Sequence, residues 1–197
     1  MYIAELINTL KQDIEVFQLV HNKPGVLKYL YLPDFRAVLI FRLSSFLIKY
    51  RLIKPLAYLF TMLNDFLTGV WISPHVEIMP GLFLGHPRGL VINPSTKIGK
   101  YCSIMQRVTI GGPNIVIGDN VEINAGASLI SNVRGNGKLT IGENVVIGAG
   151  TVVVNDIPSF SVVVGVPGKV VKSITMDENW VEFRKRRNTY FTEHNIH

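Results

Sequence analysis

Residues 108–130 read VTIGGPNIVIGDNVEINAGASLI, and an aliphatic side chain recurs every six residues at Ile117, Ile123 and Leu129. A small or β-branched residue stands two positions before many of these aliphatic residues, as Val121 does before Ile123. Such a pair, with one outward residue between its members, is a short strand of period two. The corners GDN and NAG follow the strands, and Gly and Asn tolerate left-handed backbone. The stretch therefore predicts a repeating unit of one short strand and one corner.

The same spacing extends in both directions over residues 71–172. Its aliphatic positions are Ile72, Ile78, Leu84, Ile92, Ile98, Ile104, Ile110, Ile117, Ile123, Leu129, Ile141, Ile147 and Val153. One unit cannot bury its apolar edge alone, but stacked units bury the whole row and pair their backbones. We therefore expect a coil of short parallel strands, with Leu84 pointing inward and the corner residue His86 pointing outward. Cys102 falls at a small inward position and is expected to be a core residue rather than a nucleophile.

Residues 1–70 form a predicted helical domain before the coil. In DFRAVLIFRLSSFLIKYRL (34–52), apolar residues recur at three- and four-residue steps, with Arg36, Arg42 and Lys49 between them. Residues 52–70 are more apolar, but their charge-free run, 55–64, is shorter than the ~20 residues of a membrane span. We expect this segment to pack within an oligomer, with peripheral membrane contact as the alternative. Residues 173–197 form a predicted C-terminal tail that packs against another subunit or the end of the coil.

Composition excludes several classes of protein. With 48% hydrophobic and 17% charged residues, the chain is not disordered. The net charge of +6 comes from bases spread along the chain, which argues against a nucleic-acid face. The one basic cluster, 184–187, is typical of a solvated helix face. The first residues, MYIAELINTLKQDIE, lack the apolar core of a signal peptide, so a cytoplasmic location is expected, at the inner face of the membrane if membrane contact occurs.

Three motifs resemble those of the hexapeptide-repeat acyltransferases, and the serine acetyltransferase branch is the most similar in layout. They are H-x-x-G-[IL]-V at 86–91, V-T-[IL]-G-G at 108–112 and G-V-P-x-[KR] at 165–169. The resemblance implies an α+β protein, in which helices precede a left-handed parallel β-helix that assembles as homotrimers or dimers of trimers. It also implies that acetyl-CoA lies between coils of neighbouring subunits and that no metal is needed. His86 matches the general base that takes a proton from an acceptor hydroxyl, a role suited to a neutral imidazole.

The resemblance further implies a set of residues that bind acetyl-CoA: Gly111, Gly112, Ala125, Ala149 and Lys169. The two glycines would let the pantetheine arm approach the backbone, and the two alanines would line its groove. Lys169 would contact a phosphate of the cofactor. Corner geometry is the alternative explanation for the glycines and alanines, and a solvated lysine is the alternative for Lys169.

The chain departs from the serine acetyltransferase pattern on the acceptor side. Trp71 stands where the branch has an aspartate that orients the histidine, and Gly85 replaces a second aspartate. The substrate loop after V-T-[IL]-G-G is also missing. We therefore expect a sugar hydroxyl as acceptor, on a surface polysaccharide or its nucleotide- or lipid-linked precursor. Trp71 offers a flat face for a sugar ring, and Arg88 offers a two-pronged partner for a carboxylate.

The main hypothesis is thus an acetyl-CoA-dependent O-acetyltransferase that transfers acetyl to a sugar. Serine O-acetylation and a non-catalytic β-helix scaffold are the alternatives. Residues 131–138, SNVRGNGK, exceed the usual pattern of the branch by six residues and predict an outward loop rather than an added rung. His75 matches no motif and is expected at the surface, and two histidines in the coil are too few for a three-histidine metal site.

Overall fold

A computed structural model describes residues 3–21, 29–131 and 137–174. The predicted tail beyond residue 174, including the basic cluster 184–187, lies outside the described residues. The helices are α1 (Ile3–His21), α2 (Pro33–Leu47) and α3 (Lys54–Thr68), with a 3-10 turn at Arg51–Ile53. Helix α2 begins at Pro33, whose fixed φ suits the first helical position. Helix α3 ends at Gly69, which adopts φ 71° and donates its N–H to Asp65 O at 2.8 Å.

Fifteen strands follow in the described residues. They are β1 Val70–Ile72, β2 Glu77–Ile78, β3 Phe83–Gly85, β4 Leu90–Ile92, β5 Lys97–Ile98, β6 Ser103–Met105, β7 Thr109–Gly111, β8 Ile115–Ile117, β9 Glu122–Ile123, β10 Ser128–Ile130, β11 Leu139–Ile141, β12 Val146–Ile147, β13 Val152–Val153, β14 Ser161–Val164 and β15 Lys169–Ser173. From β1 to β14, consecutive strands lie in different sheets, and each pairs in parallel with a strand of a neighbouring coil.

Three sheets form the three sides of the coil. The first sheet is β1-β4-β7-β10-β13, the second is β2-β5-β8-β11, and the third is β3-β6-β9-β12-β14 with β15 antiparallel at its end. The parallel pairing aligns the predicted aliphatic row, so that Ile72 lies beside Ile92 and Ile92 beside Ile110. Each of these three side chains is at most 1% exposed. The predicted fold, helices followed by a left-handed parallel β-helix, is confirmed.

A buried ion pair fastens the helices to the first coil. Arg42 Nε of α2 donates to Asp13 Oδ2 of α1 at 2.8 Å, and both side chains are almost fully buried. The backbone N–H groups of Gly81 and Leu82, which connect β2 and β3, both donate to Asp13 Oδ1 at 2.8 Å. Arg42 Nη2 also donates to Met79 O at 2.9 Å. One carboxylate therefore joins two helices and a corner of the coil.

Helix α3 turns its apolar side outward. Its buried side chains are small or polar: Ala57, Thr61, Asn64 and Thr68. Asn64 Nδ2 donates to the carbonyl oxygen of Ala37 in α2 at 3.0 Å, which fixes this inward face. The outward side chains include Leu59, Met62 and Phe66, and Phe66 is 85% exposed. A contiguous apolar surface of this kind marks a contact site. None of the described helices is both long enough and apolar enough to cross a bilayer.

The longer segment between β10 and β11 does not add a rung. Leu129 lies in the first sheet and Ile141 in the second, which are consecutive sides of the coil. The outward loop predicted for residues 131–138 stays a prediction, because residues 132–136 lie outside the described ranges. Cys102 is fully buried, as predicted, and His75 is exposed, with its Nε2 atom 3.1 Å from Tyr58 Oη.

Candidate active site

His86 lies on a corner that is longer than its neighbour in the next coil. Gly85 pairs with Met105, and Val91 pairs with Thr109. Five residues, 86–90, therefore connect the third sheet to the first where three, 106–108, do so in the next coil. The two additional residues push the corner outward, and His86 is exposed with φ 48°. Left-handed backbone at a non-glycine residue costs energy and is concentrated at functional sites.

The corners that connect the third sheet to the first form one edge of the coil, which we call the histidine edge. Backbone hydrogen bonds align these corners: Arg107 N donates to Arg88 O at 3.1 Å, Gly126 N to Gln106 O at 2.9 Å and Gly150 N to Ala125 O at 2.9 Å. The corresponding positions of successive coils are therefore Arg88, Gln106, Ala125 and Ala149. With one rung per ~4.8 Å, this row extends for roughly 14 Å.

A pocket of about 430 Å³ opens on the histidine edge. Its lining residues are His86, Arg88, Gln106, Arg107, Ala125 and Gly126. The structure thus brings together three of the predicted site residues, His86, Arg88 and Ala125, which are up to 39 positions apart in sequence. Beyond the pocket the edge stays open, because a Cβ atom added at Gly150 would meet no atom within 4 Å.

Ala149 and Lys169 lie further along the same edge. Ala149 is exposed one rung beyond Ala125. The closing motif packs on the last coil, since Val152 N donates to Gly165 O at 3.1 Å and Gly168 N donates to Val152 O at 2.7 Å. Lys169, which follows at the start of β15, is exposed. His86 and Lys169 therefore lie at opposite ends of one open edge.

Three predicted residues, Trp71, Gly111 and Gly112, lie neither in the pocket nor further along the histidine edge. Trp71 is 47% exposed on the outer face of the first sheet, beside Val91 of the next coil. Gly111 and Gly112 lie at the corner between the first and second sheets. Gly112 has φ 92°, and a Cβ there would overlap Ser131 Oγ, so packing alone requires glycine at this position. A role for these residues in ligand binding stays a prediction.

The structure gives a physical reason for the glycine before His86. A Cβ atom at Gly85 would overlap Met105 Sδ of the next coil, so a larger residue there would require the flexible Met105 side chain to move. The His86 imidazole has no hydrogen-bond partner in the parts of the chain that the structure describes. In the same ranges, no group of three or more His, Cys, Asp or Glu side chains is placed to hold a metal ion.

The sequence analysis missed three residues of the pocket, Gln106, Arg107 and Gly126. The spacing held part of the signal, because Leu84 and Ile92 are eight residues apart where six is the rule. These two extra residues mark the corner that carries His86 as the one that projects outward. Which side chains face the bulge depends on the corners stacked beside it.

Comparison with known proteins places this architecture among the serine acetyltransferases. The chain is 42% identical over 139 residues to a serine acetyltransferase of Staphylococcus xylosus, which covers 65% of this chain and 62% of the relative. A crystal structure of Neisseria gonorrhoeae serine acetyltransferase in complex with serine superposes with a TM-score of 0.73 at 31% identity, covering 86% of this chain and 70% of that one. A serine acetyltransferase in complex with CoA gives a TM-score of 0.74 at 29% identity, covering 86% and 70%. No family model matches the chain.

A three-sided coil of hexapeptides with an exposed histidine corner defines the class. The chain belongs to the hexapeptide-repeat acyltransferase family, in its serine acetyltransferase branch. It spans 62% of the length of the S. xylosus relative. The predicted sugar acceptor finds no support in these comparisons, which favour the alternative, serine O-acetylation.

Proposed function

We propose that the protein is an acetyl-CoA-dependent O-acetyltransferase in which His86 is the general base. One observation carries the proposal: His86 is exposed in a pocket of about 430 Å³ at one end of an open edge lined by small residues. A side chain buried in the coil could not reach a substrate. The competing explanation, a non-catalytic scaffold, gives no reason for the two additional residues that project this corner outward.

The proposed reaction is a direct transfer. The acceptor hydroxyl oxygen attacks the thioester carbonyl while His86 takes the hydroxyl proton. The new C–O bond forms, the C–S bond breaks, and the thiolate of CoA leaves and receives the proton from the imidazole. Two further effects would supply the rest of the rate enhancement. One is the positioning of both substrates, and the other is hydrogen-bond donation to the developing oxyanion.

The histidine edge suits a long, thin donor. Ala125 and Ala149 present only methyl groups, and Gly126 and Gly150 present none, so a pantetheine arm could lie against the backbone. Lys169 at the far end of the edge would contact a phosphate. Similarity to a serine acetyltransferase solved in complex with CoA supports acetyl-CoA as the donor.

Serine is the proposed acceptor, because the relatives described above are serine acetyltransferases. A sugar hydroxyl is the second candidate. It is favoured by the exposed indole of Trp71 and by Arg88 beside His86, together with the missing substrate loop. Both acceptors offer a hydroxyl for the same proton transfer, so the choice between them depends on what the rest of the pocket binds.

We also propose that the protein assembles as a homotrimer or a dimer of trimers. The outward apolar face of α3 supports a contact between subunits. Peripheral contact with a membrane is the competing explanation for this face.

The test measures acetyl-CoA consumption, release of the CoA thiol, and acetylated products by mass spectrometry, with serine and with sugar acceptors in parallel. His86→Ala should lower transfer by about 100-fold or more if the imidazole is the base. His75→Ala is the matched control, because His75 is an exposed histidine outside the pocket. Equal losses in the two variants would contradict the role of His86. Absence of transfer to every acceptor would favour the scaffold.

A further inference from the structure

The pocket around His86 is positively charged. Among its lining residues are two arginines, Arg88 and Arg107, and no acidic residue. Neither guanidinium forms an ion pair or hydrogen bond with another described residue of the chain. The two exposed guanidinium groups lie on consecutive coils in the same pocket as His86 and are available to bind an anionic ligand.

Arg107 occupies a backbone position that other coils reserve for glycine. The pairing of the first sheet aligns it with Gly69, Gly89, Gly126 and Gly150. All five residues have positive φ, 57° at Arg107 and 68° to 79° at the glycines. Left-handed backbone is freely adopted by glycine and strained for arginine. A strained residue that persists where glycine is the rule indicates that its side chain is needed.

Arg88 lies at the same edge, one rung away. Its carbonyl oxygen accepts the hydrogen bond from Arg107 N at 3.1 Å, so the two side chains leave adjacent backbones. Arg88 follows His86 by two residues on the bulged corner. A carboxylate held by these guanidiniums would lie next to the imidazole, and arginine binds carboxylates through two parallel N–H···O bonds.

We propose that Arg88 and Arg107 together bind a carboxylate of the acceptor and so hold its hydroxyl at His86. The inference rests on the proposed function and narrows it to hydroxyl acceptors that carry a carboxylate. Serine and a uronic acid residue of a glycan share this chemistry. Neutral hydroxy compounds of the same size would be poorer acceptors, because they lack the carboxylate with which the two guanidiniums would form charge-assisted hydrogen bonds.

Arg107→Gly tests the inference with little risk to folding, since it restores the residue found at the corresponding positions. The KM for a carboxylate acceptor should rise by about 10- to 100-fold, whereas the KM for acetyl-CoA should stay within about twofold. Arg88→Gln should act in the same direction. Lys100→Ala is the control, because it removes an exposed cation from a corner on another edge.

Matched acceptor pairs measure the charge preference. Serine is compared with serinamide, and a methyl glucuronide with a methyl glucoside, on the wild-type protein and on Arg107→Gly. The wild type should prefer the carboxylate in at least one pair, and the variant should lose that preference. The pair with the larger difference identifies the source of the carboxylate. A rise only in the KM for acetyl-CoA, or an unchanged preference, would overturn the inference.

Equilibrium binding separates failure of this inference from failure of the proposed function. Calorimetric titration of the same four compounds needs no turnover. If no acetyl transfer occurs but Arg107→Gly abolishes carboxylate binding, the carboxylate site is supported and the acetyltransferase activity is contradicted. If transfer occurs and both members of each pair bind equally, the proposed acetyltransferase activity is supported and the proposed carboxylate site is wrong.

Discussion

Asp13→Ala should destabilise the protein strongly, because this carboxylate is the buried junction between the helices and the coil. It accepts hydrogen bonds from Arg42 Nε at 2.8 Å, Arg42 Nη2 at 3.1 Å and the N–H groups of Gly81 and Leu82 at 2.8 Å. Its removal leaves a guanidinium with 4% exposure without its counter-ion, in addition to two buried donors without an acceptor. Breaking a buried ion pair in this way costs about 3–5 kcal/mol.

A loss of that size is a large part of the ~5–15 kcal/mol that stabilises a typical domain. Urea unfolding followed by circular dichroism measures it. Glu77→Ala is the matched control, since the Glu77–Lys97 ion pair has a similar N–O distance of 3.1 Å but side chains that are 67% and 61% exposed. That pair should contribute less than about 1 kcal/mol. A cost below about 1 kcal/mol for Asp13→Ala would refute the claim that this carboxylate fastens the helices to the coil.

Two further predictions concern the donor edge and the assembly. Ala125→Leu should lower kcat/KM for acetyl-CoA by about 10- to 100-fold without changing the fold, because the larger side chain fills the groove beside His86. Steady-state kinetics check this, and Asn155→Leu, at an exposed corner of another edge, should have no effect. Phe66→Glu places a charge in the apolar face of α3 and should reduce the mass measured by light scattering. An unchanged mass, combined with lost sedimentation with anionic vesicles, would assign that face to a membrane instead.

The sequence pattern predicted that the helices exist but not which of their side chains are buried. The spacing of apolar residues predicted helices before the coil, but it identified Arg42 only as a basic residue between apolar ones. The structure buries this arginine against Asp13, 29 positions earlier in the chain. Nor does the composition of α3 reveal that its polar residues point inward. That orientation depends on the Ala37 carbonyl, to which Asn64 donates.

At the candidate site, the sequence by itself determined that Leu84 is inward and His86 outward, because a period-two strand and a six-residue repeat are properties of adjacent residues. It also predicted Ala125 as a site residue through resemblance, and Arg88 from its guanidinium two positions after His86. Only the tertiary structure decided that Arg107 joins them. Residues in neighbouring corners meet through the register of parallel strands about twenty positions apart, and that register depends on how many residues each corner holds. The same stacking decided that the Met105 side chain fills the space beside Gly85, which favours a residue without a Cβ atom before the histidine.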